Sequence, residues 1–121
     1  MSLDYTYATC LGSGYVSTHT DGVELTRVWG KTNKYMVLAL VVVVTTAGAQ
    51  AAFGFDIADS TPTAIQTFTA IGTAAAGTMS VMRVSDANVT RDANTQVLFR
   101  MKTTDATAQY YWKAYGTMTF V

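Results

Sequence analysis

Charge is what this chain has least of. Lys, Arg, Asp and Glu make up 13% of its 121 residues, about half the share usual in globular domains. Eight bases cancel eight acids, so no long-range field pulls on nucleic acid, anionic lipid or an acidic substrate, and no nucleic-acid partner is expected. Cysteine is nearly absent: Cys10 stands alone, which excludes an intrachain disulfide and a cysteine-based metal site. Proline occurs once, as Pro62 in the turn signal Asp59-Ser60-Thr61-Pro62, and histidine once, as His19. The basic-then-apolar pattern of a secretion signal is missing from Met1 to Asp4, which leaves the compartment open.

What is present is hydrophobic and small. Half of the residues are hydrophobic, enough for one core in a chain of this length, and residues 1–121 read as a single domain. Ten consecutive apolar positions run from Tyr35 to Val44, and no charge falls between Tyr35 and Phe55. A membrane helix needs about twenty such residues. Here the heart of the run is Val41 to Val44, β-branched residues suited to a strand, and Thr45 to Gln50 is small and polar. The segment reads as two strands and a turn, with no membrane span.

Nearly every other segment alternates with period two, not 3.6. Val23, Leu25 and Arg27 alternate with Glu24, Thr26 and Val28. Val97, Phe99 and Met101 alternate with Leu98, Arg100 and Lys102. Toward the end, Tyr110, Trp112 and Ala114 share one face, and Tyr111, Lys113 and Tyr115 the other. Gly116 is expected to form a bulge there. Turn signals separate these runs, among them Gly12-Ser13-Gly14, Asp21-Gly22 and Ala47-Gly48. Eight to nine short strands predict an all-β fold: an antiparallel two-sheet sandwich, jelly-roll-like. No helix is expected beyond one turn at Ala74-Ala75-Ala76.

Chemistry-bearing groups are sparse. His19 with Asp21 or Cys10 is the nearest approach to a catalytic pair, yet no nucleophile elbow or orienting third group accompanies it. It reads as a solvated loop histidine. No catalytic, cofactor or metal residue is assigned, and the chain reads as non-enzymatic. Asp56, Asp59 and Asp105 are placed in or near loops. Asp86, Asn88, Asp92 and Asn94 form the one oxygen-rich cluster, without the acid spacing of a calcium loop, and are expected to bond their own turns. The aromatic residues are more informative. Tyr111, Lys113 and Tyr115, with Trp29 elsewhere, form the candidate interface or ligand surface, because Tyr and Trp are enriched where subunits meet and also make platforms for sugar rings.

Low charge, richness in Thr, Ala and Val, the uncharged strand Tyr35 to Val44 and the final run Tyr115 to Val121 together resemble the short jelly-roll domains of phage and virus structural proteins. Tail-fibre tips, head-decoration proteins and the trimeric C1q/TNF-like heads share this style. The resemblance implies a trimeric structural or receptor-binding part on a virion or extracellular surface. A carbohydrate-binding module is the alternative expectation.

Overall fold

The computed structural model describes residues 9–30, 33–50, 53–59, 64–68, 74–83, 90–91 and 95–120. Nine strands fill them, with no helix among the described residues: β1 Thr9–Val16, β2 Glu24–Gly30, β3 Asn33–Thr46, β4 Gly54–Asp59, β5 Ala64–Phe68, β6 Met79–Arg83, the two-residue β7 Thr90–Arg91, β8 Thr95–Lys102 and β9 Gln109–Phe120. They form two antiparallel sheets, ordered β1-β9-β3-β6 and β2-β8-β4-β5, with β7 beside β3. Four nested pairings explain this order: β1 with β9, β2 with β8, β3 with β6 and β4 with β5. The chain is a long hairpin folded about the β4–β5 connection and then rolled, so that β9 meets β3 and β8 meets β4. That is the jelly-roll connection of two sheets.

The apolar run Tyr35 to Val44 lies in β3, an interior strand between β9 and β6, and Phe53 leads into β4. No helix of the described residues is long and apolar enough to cross a membrane. Period-two alternation sorts β3 and β9 cleanly. Leu40, Val42 and Val44 of β3 and Tyr110, Trp112 and Ala114 of β9 point into the core, against Phe53, Phe55, Ile57, Val97 and Phe99 of the other sheet. β4 is buried on both faces, since Gly54, Asp56 and Ala58 are covered as well.

Two expectations change. Gly12-Ser13-Gly14 is not a turn but the middle of β1. A Cβ on Gly12 would stand 2.8 Å from Thr26 Oγ1 across the sandwich, and one on Gly14 would stand 3.0 Å from Trp112 Nε1. These glycines admit a close neighbour, the other role of glycine in a strand. Gly116 does not bulge. The extra residues lie in its partners, at Leu38 between Val37 and Ala39 of β3 and at Leu11 between Cys10 and Gly12 of β1. Residues 74–78 contain a turn, with Gly77 at φ 91°, and no helical turn.

Candidate functional site

Among the described residues, the outer face of the first sheet carries the exposed aromatic side chains, Tyr15 and Tyr111. β9 places Tyr111 opposite Tyr15 of β1 and Val43 of β3, and Lys113 opposite Ser13 and Val41. β6 adds Met79 opposite Val43 and Val81 opposite Val41. Tyr15, Met79, Val81 and Tyr111 are 48%, 64%, 44% and 57% exposed. Of the large exposed hydrophobic side chains among the described residues, only Val23 lies elsewhere. Scattered apolar residues on a surface are ordinary, but a contiguous face of them marks a contact site. A depression of about 350 Å³ runs along this face, lined by Ser13, Tyr15, Val41, Val43, Tyr111 and Lys113, with Gly14 and Trp112 at its floor.

Two details shape that depression. The Tyr15 and Tyr111 rings sit 4.8 Å apart between centroids and are tilted by 51°, making a ridge rather than a flat plate. Tyr15 Oη donates to Gln109 Oε1 at 3.0 Å, and Thr46 Oγ1 donates to the same oxygen at 3.1 Å, which fixes the ring of Tyr15. The depression holds a cation, Lys113, and no acid.

Tyr111 and Lys113 are therefore brought together as expected from the alternation. Tyr115 continues the same strand half-buried, opposite Cys10 and Ala39, outside the depression. Trp29 belongs to β2 in the other sheet, where its backbone pairs with Gln96, and does not join the group. Tyr15, Met79 and Val81 complete the face. Tyr15 was hidden by the neighbouring glycines, which made β1 look like a turn.

Three polar groups expected in or near loops, His19, Asp56 and Asp105, are buried and internally satisfied. His19 is not a solvated loop residue: it is fully buried, with Nδ1 2.7 Å from Tyr110 Oη and Nε2 2.8 Å from the Lys102 carbonyl. Phe53 and Phe55 flank the ring edge-on at 4.9 and 5.2 Å. Burial lowers the pKa of His19, against the opposing pull of the Lys102 and Gly54 carbonyls and of Asp105 and Asp21. The same burial pushes the Tyr110 phenol above its ordinary value. Asp105 is buried as a cap: Oδ1 accepts from the amides of Thr107 and Ala108, and Oδ2 from that of Gln50. Burial alone would raise its pKa, but these amides and that of Ala49 hold it below the usual value. Asp56 lies inside β4, not in a loop, and forms a two-pronged ion pair with Arg100 at 2.9 and 2.7 Å. The bond to Asp56 raises the Arg100 pKa.

Among the described residues no three His, Cys, Asp or Glu side chains gather to hold a metal ion. The cluster Asp86, Asn88, Asp92 and Asn94 lies outside the described residues. Cys10 is exposed and free. Comparison with known families, curated proteins and solved structures finds no match.

Proposed function

We propose that this domain is a non-enzymatic structural or adhesive β-sandwich that self-associates, as a trimer, through the outer face of the β1-β9-β3-β6 sheet. The carrying observation is the apolar face itself: exposed Tyr15, Met79, Val81 and Tyr111 lie side by side with the partly buried Val41 and Val43. β3 is apolar on both faces, and no described loop covers the outer one. Burying such a face gains about 25 cal/mol per Å², with few charges to desolvate. Lys113 bears on the symmetry. A two-fold contact centred on the depression would press one Lys113 against its copy with no acid between, whereas in a three-fold ring the face meets a different surface. A phage or virion component is the setting that suits such a part.

Light scattering at micromolar concentration tests this. The expected mass is three times the 13.0 kDa of one chain, and Tyr111→Glu is expected to return it to one chain with an unchanged β-type circular-dichroism spectrum. A wild-type mass of a single chain overturns the assembly. The second reading, a carbohydrate-binding module, is favoured by the depression beside Tyr15, Tyr111 and Lys113. It requires a monomer that selects sugars on a glycan array and loses them on Tyr111→Ala.

A further inference from the structure

One end of the sandwich is closed by two connections that hold each other. Residues 17–23 join β1 to β2, and residues 103–108 join β8 to β9. His19 and Asp105 form an antiparallel bridge, with amide-to-carbonyl distances of 3.2 and 2.8 Å. The Thr103 amide donates to Asp21 Oδ1, the Asp21 amide to Thr104 Oγ1, and the Gly22 amide to the Met101 carbonyl. At the centre is the imidazole of His19, which reaches from this closure into the aromatic core, against Phe53, Phe55 and Tyr110.

Its proton positions follow from its partners. The Lys102 carbonyl only accepts, so Nε2 carries the hydrogen and Nδ1 is bare. The Tyr110 hydroxyl therefore donates to Nδ1. A second proton could go only to Nδ1. It would turn both partners into donors facing one another at 2.7 Å, force the Tyr110 hydroxyl to rotate its hydrogen into the core, and place a cation against two phenyl rings. The charged or titratable groups around the ring are Tyr110 from β9, Lys102 from β8, Asp105 from the β8–β9 connection and Asp21 from its own connection. β4 and the residue before it present Phe53, Phe55 and the Gly54 carbonyl. Asp105 spends its oxygens on the amides of Gln50, Thr107 and Ala108, and Asp21 is turned to Thr103 with Lys102 Nζ 3.9 Å away. Neither carboxylate contacts the imidazole.

We propose that His19 is a proton-operated latch: mild acid protonates it, frees the 17–23 connection from the 103–108 connection, and opens this end of the sandwich while the paired sheets persist. The sign follows from the depressed pKa. The open form takes up a proton near the ordinary value of about 6.5, and the closed form only at lower pH. The closure is thus fully present above about 6.5 and weakens as pH falls to the midpoint of the closed form. Asp105, with a pKa held below 3.8, is still ionised in that window, so the two events separate.

The test is residue-resolved hydrogen exchange on the full chain between pH 7.5 and 4.5, corrected for intrinsic rates, beside the titration of the single histidine ring resonance. The ring midpoint is expected below 6.5. Protection at the amides of His19, Gly22, Thr103 and Asp105 should fall between about 6.5 and that midpoint, by about tenfold for each unit separating the two, and level off below it. The amides of β3 and β9 should keep theirs. In His19→Gln, whose amide can serve both partners without titrating, protection at the connections should be flat across the range. An unshifted ring midpoint overturns the latch, as does an equal loss of protection in His19→Gln or a simultaneous loss across β3 and β9. If His19→Gln does not fold, the wild-type data decide: protection that falls between about 6.5 and the ring midpoint and levels off below it supports the latch, and protection that stays flat through that window overturns it.

Discussion

Asp105 shows how much one buried side chain can organise. Its two oxygens end three backbone amides, those of Gln50, Thr107 and Ala108, and so join the β3–β4 connection to the β8–β9 connection. Gly48 lies against it closely enough that a Cβ would stand 2.6 Å from Oδ2, so this corner admits no larger residue. Asp105→Ala strands the buried amide of Ala108, at about 1–3 kcal/mol, and removes the partner of the part-buried amides of Gln50 and Thr107. We expect chemical denaturation at pH 7 to show a loss of at least about 2 kcal/mol. Because the native pKa is held below 3.8, the difference between wild type and variant should be constant above that value. It should shrink as pH falls through the lower native one. A difference that instead grows in acid would show that Asp105 is not held as a carboxylate. His19 and Asp56 belong to the same scale, and both were misplaced by sequence reasoning for one physical reason. Their burial depends on partners far along the chain, Tyr110 and Arg100, and no local pattern announces a polar group satisfied at that distance.

Elements were far more legible than single polar residues. β9 could be read nearly residue by residue, because one face is core and the other is not, and its alternation runs unbroken from Tyr110 to Tyr115. β3 could be read as a strand from its β-branched run, and its two apolar faces announced an interior position. β1 could not: Gly12 and Gly14 are signals of turns, and only the facing Thr26 and Trp112 reveal why strands need them here. The contribution of β3 to the core is measurable by its two faces. Leu40→Ala, on the inner face, should cost about 2–5 kcal/mol. A loss under about 1 kcal/mol would show that Leu40 is not packed as described. Val41→Ala, one residue away and half-exposed, should cost the folded monomer distinctly less. The outer face was legible as apolar but not as a depression, because its shape depends on the tilt between Tyr15 and Tyr111, which no spacing encodes.

For the molecule as a whole, the nested hairpin makes every strand pair except β4–β5 a long-range one, and the two flanking strands of the roll, β1 and β9, lie side by side. Pairings that join distant parts of a chain form slowly, so refolding is expected in the millisecond-to-second range typical of sandwiches. Stopped-flow fluorescence of Trp29 and Trp112 would follow it, and a microsecond phase carrying the full amplitude would contradict the topology. The same adjacency has a mechanical side. Thr9 at the start of β1 is opposite Gly116 of β9, so a load applied to both ends of the chain meets the β1–β9 ladder at one extremity. Its hydrogen bonds lie across the strands, and such a pull opens them one after another, as a zipper, rather than shearing them together. A domain strung in series under tension would therefore yield early. One held from a single end carries no load through that ladder.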